Sequence, residues 1–370
     1  MKHIHNKFFE ENPNEHSNLD EHKALLFLEN EKLLQNFINS YGEEFKQITG
    51  EHDAETAVRK RLNEVGEILL ERYPVFSNDT LVDDIICTFI ENADQETKSK
   101  LKQIYFGKKL TTDDANAIAH NSDPNYDGLL ITSNLRFDTV LMLLSDIFAA
   151  LCTLRVHIDD DLSLSRLLVM KLRALVDLNE ISIGLETQLP NKKHRDYFQF
   201  VYWKTFGSAQ TFVVGHEVAH HLLNHTSGSE PWKFSGFPSQ NIYHDSEFSA
   251  DDLALDLMFN VGIDYKEIDI DFDCLMGPII NMILISMQAI DPTEPSEQHP
   301  APLDRLKRIL DYSKETFSTM QYDLIRSNTR ELLELINAIN HFWDKRWWDD
   351  LDLIVYKKRK SKENLKLDSN

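Results

Sequence analysis

The sequence predicts a mainly α protein that contains a small β-sheet. Helix-forming residues dominate the 370 residues of the chain, and only 12 glycines and 11 prolines interrupt them. Apolar side chains recur every three or four residues over long stretches, which is the period of a helix with one buried face. The length is sufficient for a substantial core, in one large domain or in two ordinary ones.

Three helices are predicted in the N-terminal part of the chain. Apolar side chains follow the helical period in residues 17–47 and again in residues 55–73, and residues 81–90 predict a third helix. Turn-forming residues then cluster at 121–128 and indicate a domain boundary. We therefore expect a helical N-terminal domain over residues 1–125.

The central part of the chain contains the two predicted strands, at residues 129–137 and 181–189. Two apolar stretches, residues 139–154 and 274–290, could be mistaken for membrane spans. Each of them contains polar residues, and a span needs about 20 mainly apolar residues. Both stretches are therefore expected to be buried helices, and no integral membrane segment is expected.

Two more helices complete the predicted core. The first is expected over residues 195–225, with a possible break at Gly207, and the second over residues 245–259. We expect the core to extend over residues 126–316. Residues 317–370 are expected to form an amphipathic C-terminal helix, over residues 317–347, and a basic tail.

Charge and cysteine content restrict the class of protein. The formal net charge is −22, whereas a general nucleic-acid binder usually has a basic surface, so no nucleic-acid partner is expected. Cys87, Cys152 and Cys274 are widely separated and lie in apolar stretches. They are expected to be buried free thiols in a reducing compartment. Since the N-terminus also has no apolar signal segment, we expect a cytoplasmic protein.

The first motif with chemical meaning lies on the predicted helix 195–225 and contains His216, Glu217 and His220. Histidines at positions i and i+4 share one helix face, about 6 Å apart at Cβ. Their imidazole nitrogens can therefore reach one zinc ion at about 2.0–2.1 Å each. Glu217 is placed to take a proton from zinc-bound water.

Glu247 and Asp251 form the second motif, on the predicted helix 245–259. A zinc hydrolase needs three protein ligands and one open position, and Glu247 is the expected third ligand. Asp251 lies on the same helix face and is expected to accept the outer N–H of a zinc-bound histidine. Two alternatives stay open: His244 could be the ligand instead of Glu247, or Asp251 could bind the metal directly.

Together the two motifs resemble the gluzincin clan of zinc metallopeptidases, whose members include thermolysin. The pattern there is His-Glu-x-x-His, followed by Glu-x-x-x-Asp on the next helix. A third segment, which contains His299, Pro300 and Arg305, resembles the His-Pro…Arg segment of HtpX-like and CaaX-type peptidases. In those families the segment opens a helix that supplies polar groups near the site. The resemblance covers roughly residues 209–310 and implies a minimal zincin core with Zn²⁺ as the cofactor.

Further roles follow for the residues around the predicted site. His299 is expected to donate to the oxyanion that forms when water attacks the carbonyl, and the alternative is that it caps the next helix. Tyr243 is a second candidate for the oxyanion. Arg305 is expected to hold the site through an ion pair. His221 and His225 lie about 100° from the ligand face and are expected at the rim or the surface.

The activity that these expectations describe is that of a zinc metalloendopeptidase acting on a protein or peptide substrate. Glu217 would act as the general base on zinc-bound water and then pass the proton to the leaving amine. An alternative of another class is a helical sensor or interaction protein whose zinc site is structural or vestigial. A zinc-dependent hydrolase of small amides is the third possibility.

Overall fold

A computed structural model of the chain describes residues 31–61, 85–90, 93–109, 115–121, 129–156, 161–177, 191–227, 242–259 and 272–354. The predicted fold class is confirmed, because these residues are mainly helical and contain one small sheet. The helices are α1 (Glu31–Thr49), α2 (Gln95–Leu101), α3 (Leu135–Val156), α4 (Asp161–Asp177), α5 (Lys192–Leu222), α6 (Ile242–Phe259), α7 (Phe272–Gln288), α8 (Pro302–Thr316) and α9 (Thr319–Asn340). Residues 54–61 and 85–90 are also helical.

The sheet has three strands, β1 (Ile104–Lys109), β2 (Ala117–Ala119) and β3 (Leu129–Asn134), in the order β1-β3-β2. β1 is parallel to the central strand β3, and β2 is antiparallel to it. β1 and β2 precede residue 126 and β3 follows it, so the sheet joins both sides of the boundary predicted there. The other predicted strand, residues 181–189, lies outside the described residues.

The predicted strand at 129–137 is shorter in the structure. It ends at Asn134, and α3 begins at the next residue. The side-chain oxygen of Asn134 accepts the backbone N–H of Phe137 at 3.0 Å, which is the contact of a helix N-cap. An asparagine cap therefore converts the end of an apolar run from strand into helix.

α5 is the central helix of the core, and α3, α6 and α7 pack around it. The possible break at Gly207 is not present, since α5 is continuous to Leu222. The crossing with α7 is very close. A Cβ atom at Gly277 would lie 2.4 Å from Ser208 Oγ and 2.5 Å from Ala209 N, so only glycine fits at this crossing.

The two apolar stretches are buried helices, as predicted, and form most of α3 and α7. Within the described part of the chain, α3 is long and apolar enough to cross a membrane by length and composition. However, 83% of its apolar window is buried inside the fold. Asp146, in the middle of α3, lies 2.7 Å from the ammonium group of Lys171 on α4. The apolar composition of α3 is therefore that of a buried core helix, in which Asp146 has Lys171 as its ion-pair partner.

The C-terminal helix ends earlier than predicted. α9 ends at Asn340, and His341 has the left-handed conformation (φ 51°) that commonly ends a helix. Three tryptophans then pack edge to face, with ring centroids 5.5–5.7 Å apart, and are buried in the main core. These are Trp343, Trp347 and Trp348. The basic tail lies outside the described residues.

The three cysteines are free thiols, but the prediction that all are buried is wrong. Cys152 is buried in the core, Cys274 is half-buried and Cys87 is exposed. Cys87 belongs to the helical residues 85–90, whose other face supplies the buried side chains. The apolar composition around Cys87 therefore comes from the opposite face of its own helix.

Candidate metal centre and active site

The candidate site lies beside a close approach of α5 and α6. A Cβ atom at Gly215 would lie 3.3 Å from Cα and 3.4 Å from Cβ of Ala254, which is tighter than an ordinary contact. Glycine therefore permits this spacing directly before His216. The approach places Glu247 and Asp251 of α6 beside the histidines of α5.

His216, His220 and Glu247 direct their polar atoms at one point. The two histidine Nε2 atoms are 3.1 Å apart. Glu247 Oε2 lies 3.6 Å from Nε2 of His216, and Glu247 Oε1 lies 3.4 Å from Nε2 of His220. In the described part of the chain, this is the one group of three such side chains close enough to hold a metal ion. Ligands at 2.0–2.1 Å in a tetrahedral site are about 3.3 Å apart, so the spacing fits zinc.

The two alternative metal ligands point elsewhere. His244 Nε2 lies 2.8 Å from the carbonyl oxygen of Ser296, outside the group. Asp251 contacts His216 at Nδ1, the nitrogen that faces away from the group, at 2.9 Å. Glu247 is thus the carboxylate placed between the two histidines.

His299 lies at the rim of the group, with its side chain 61% exposed and Nδ1 3.3 Å from Glu247 Oε2. It does not cap α8, because the N-cap residue is Ala301 and no side chain makes the capping bond. Tyr243, the second candidate for the oxyanion, is exposed in the first turn of α6. His299 thus contacts the group through Glu247.

Arg305 connects the two carboxylates of α6. Its Nε and Nη2 atoms donate to the two oxygens of Asp251 at 2.7 and 2.6 Å. Its Nη1 atom lies 3.1 Å from Glu247 Oε2. Since Asp251 also contacts His216, a buried chain of contacts runs from α8 to His216 on α5.

Burial and neighbouring charges shift the pKa values of two residues of the group. Burial raises the pKa of Glu247, but hydrogen bonds from His220 and His299 and the charge of Arg305 outweigh it and hold that pKa well below its usual value. Burial lowers the pKa of His216, but Asp251 outweighs this effect and the pKa is raised. Both shifts stabilise ionised forms, anionic on Glu247 and cationic on His216.

The buried carboxylates also outnumber the guanidinium that they share. Glu217, Glu247 and Asp251 are each buried and each interact with Arg305. Burial raises the pKa of Asp251, but the charge of Arg305 outweighs it and the pKa is lowered. A buried excess of negative charge is costly unless a cation joins it.

Glu217 lies beside β2, where its Oε2 atom accepts the backbone N–H of Ala119 at 2.6 Å. The neighbouring residues Asn116 and His120 make the hydrogen bonds to β3. The backbone groups of Ala119 therefore point away from β3, towards the side of β2 where the described residues form no further strand. β2 is not predicted from the sequence, because a strand of three residues has too few positions to show an alternating pattern.

The expectation that His221 lies at the rim or the surface is wrong, whereas the expectation for His225 is compatible with its half-buried position beside His220. His221 is buried, with Nε2 3.1 Å from the carbonyl oxygen of Leu130 and Nδ1 2.8 Å from Thr226 Oγ1. His225 is half-buried, with Nδ1 3.0 Å from Nδ1 of His220. Burial lowers the pKa of each to about 4. The helix ends before His225, and the following turn returns the chain to the site.

Comparison with known families shows a similarity to peptidases in the region of the site. Residues 173–322 match the model of the family described as Peptidase U49. The match spans less than half of the chain, and it contains every site residue from His216 to Arg305. The chain is therefore similar to a peptidase family in the region that contains the site. No curated protein and no solved structure matches the chain.

Proposed function

We propose that the protein is a zinc metalloendopeptidase whose metal ligands are His216, His220 and Glu247. The observation that carries this proposal is the convergence of two imidazole nitrogens and one carboxylate at 3.1–3.6 Å in a buried site. The excess of buried carboxylates supports a cation at this point. The match to Peptidase U49 supports peptidase activity.

The set of donor atoms is suitable for zinc. Two imidazoles and one carboxylate are a common ligand set of catalytic zinc, and three protein ligands leave a position for water or substrate. A zinc ion held there would polarise the substrate carbonyl and make water a better nucleophile. Asp251 orients the ring of His216, and Arg305 holds Asp251 and Glu247 in place.

Glu217 is the proposed general base. Its carboxylate takes a proton from the water whose oxygen forms a bond to the peptide carbonyl carbon. When the C–N bond breaks, the same proton passes to the leaving amine. The backbone N–H of Ala119 keeps the carboxylate in position between the metal ligands and the edge strand.

Within the described residues β2 is an edge strand of the sheet, which supports an extended peptide as the substrate. A peptide that adds to this edge would pair with the backbone groups of Ala117 and with the carbonyl of Ala119, which point away from β3, while the N–H of Ala119 holds Glu217. It would then lie next to Glu217. His299, at the rim of the group, is proposed to donate to the oxyanion of the reaction.

The test of this function is cleavage of cell proteins by the wild type and by Glu217→Gln. The lysate is incubated with each protein, and new N-termini are identified by mass spectrometry. We expect Glu217→Gln to keep its zinc and to lose about 10²–10⁴-fold in rate, because it removes only the base. Glu315→Gln, which makes the same change on the exposed face of α8, is the matched control and should cleave normally.

Equal cleavage by Glu217→Gln and the wild type would overturn the role of Glu217. Zinc binding without cleavage by any of the three proteins would instead favour the alternative, an interaction protein with a structural zinc site.

A further inference from the structure

The end of α5 has the geometry of a Schellman motif, a turn that closes many helices. Asn224 has the left-handed conformation, with φ 61°. Its N–H bonds to the carbonyl of His221 at 3.2 Å, and the N–H of His225 bonds to the carbonyl of His220 at 2.9 Å. These two bonds define the motif, and asparagine is one of the few residues besides glycine that adopt the required conformation readily.

The motif normally brings an apolar residue after the turn into contact with one in the last helical turn. Here the same two positions are His225 and His220. Their Nδ1 atoms are 3.0 Å apart, and their rings meet edge to face with centroids 5.1 Å apart. The turn itself is fixed to the fold, since the neighbouring His221 bonds both Thr226 and the carbonyl of Leu130 on β3.

The two nitrogens of His220 thus have different neighbours. Nε2 faces His216 and Glu247, and Nδ1 faces His225. A histidine that binds metal through Nε2 carries its hydrogen on Nδ1, and that hydrogen needs an acceptor which fixes the ring. Asp251 is the corresponding acceptor for His216, since it lies 2.9 Å from Nδ1 of that ring.

We propose that His225 is a positioning residue for the metal site, which accepts the Nδ1 hydrogen of His220 through its own Nδ1. This inference rests on the proposed function, because His220 must be a metal ligand. His225 then carries its own hydrogen on Nε2. The helix-closing turn therefore has a second role, since it supplies the acceptor that orients a ligand.

Three substitutions separate this role from a structural one. His225→Leu removes the acceptor but keeps the apolar contact that the turn usually makes. His225→Asn keeps an acceptor oxygen close to the place of Nδ1. Thr226→Val is the matched control, because it removes the neighbouring bond to His221, which faces away from the metal.

Zn²⁺ affinity is measured on the full chain by competition with a chromophoric chelator, together with a thermal melt of each metal-free protein. We expect His225→Leu to bind Zn²⁺ about 10–100-fold more weakly with little change in melting temperature. His225→Asn should restore most of the affinity. Thr226→Val should melt at a lower temperature and bind Zn²⁺ like the wild type.

Wild-type affinity in a folded His225→Leu protein, while His216→Ala has lost the metal, would overturn this inference and leave the proposed function intact. A wild type that binds no Zn²⁺ would overturn both. Parallel losses of affinity and stability in all three variants would reduce His225 to a structural role and overturn the inference.

A measurement on the unmodified protein makes the test independent of how the variants fold. With ¹⁵N-labelled histidine and bound Zn²⁺, an N–H···N hydrogen bond gives a scalar coupling between the two Nδ1 nuclei in the NMR spectrum. We expect this coupling between His220 and His225. Its absence in the zinc-loaded protein would overturn the proposal.

Discussion

Two groups of buried charges in this protein differ in how they are balanced. In the core, Lys171 of α4 lies 2.7 Å from Asp146 of α3, and both side chains are almost fully buried. One ammonium group faces one carboxylate there. At the candidate site, by contrast, the buried carboxylates outnumber the guanidinium of Arg305, with which they all interact.

This difference in charge balance distinguishes a structural ion pair from a candidate binding site. Burying a charge is costly, and a partner of opposite charge offsets that cost only where the two are matched. The core pair is matched within the chain. The site leaves negative charge unmatched next to two histidines, so a cation bound between His216, His220 and Glu247 would complete it.

The largest effect on stability is expected in the core. Lys171→Met should lower the free energy of unfolding by about 3–5 kcal/mol, because it leaves Asp146 buried and charged. The double variant Lys171→Met with Asp146→Leu should recover most of this loss. Urea unfolding followed by circular dichroism measures both.

The exposed pair of Lys100 and Glu96 is the matched control for the core pair, and Lys100→Met should change stability by less than about 0.5–1 kcal/mol. A loss in Lys171→Met no larger than this would show that the core pair is not a matched structural unit.

The next effect concerns His299 at the rim of the site. If it donates to the oxyanion, His299→Ala should lower kcat by about 10²–10³-fold, or about 2.7–4 kcal/mol, with little change in KM. Steady-state kinetics with a cleaved peptide gives both constants. If the contact with Glu247 is its main role, Zn²⁺ affinity should fall instead and kcat at saturating zinc should be kept.

Zinc itself should stabilise the protein through the unbalanced site. At a concentration 100 times its Kd, Zn²⁺ should add about 2.7 kcal/mol to the free energy of unfolding. Glu247→Ala should remove this increment. His244→Ala should keep it, because the ring of His244 contacts Ser296 and not the group.

The same increment can be measured in Lys171→Met, and there it should be unchanged, since the core pair lies outside the site. The opposite ranking, with the increment lost in His244→Ala and kept in Glu247→Ala, would mean that His244 holds the metal.

The smallest effects are expected from two glycines of α5. Gly215→Ala should cost about 1 kcal/mol and weaken Zn²⁺ binding, because the new methyl group separates α5 from Ala254 beside the ligands. Gly207→Ala meets nothing within 4 Å and should stabilise the helix by about 0.5–1 kcal/mol with zinc affinity unchanged. Thermal melts and chelator competition on both variants measure the contrast, and equal effects of the two would refute it.

The parts of the site that depend on local spacing could be predicted from the sequence. His216 and His220 are four residues apart on a continuous helix, and Glu247 and Asp251 are four apart on the next one, so the helical period alone places each pair on one face. Most helices of the core followed from the same period, but α4 (Asp161–Asp177) was not predicted. The approach of the two helices depends on Gly215, whose importance shows only when its neighbour Ala254 is known.

Contacts that depend on turns or on distant segments were not predicted. The predicted position of His225 assumes a helix that continues past His221. In the structure α5 ends at Leu222, and Asn224 reverses the chain. Asparagine at that position was the available signal. The bond from Ala119 to Glu217 joins residues far apart in the chain, and no local pattern in a three-residue strand indicates it.

The proposed metal centre is tested most directly by the zinc content of the purified protein. Elemental analysis measures it in the wild type and in His220→Ala. If His216, His220 and Glu247 bind zinc, we expect about one zinc per wild-type chain and almost none in His220→Ala, because the substitution removes one of three protein ligands. Undiminished zinc in His220→Ala would contradict the assignment of the metal centre, and with it the proposed peptidase mechanism.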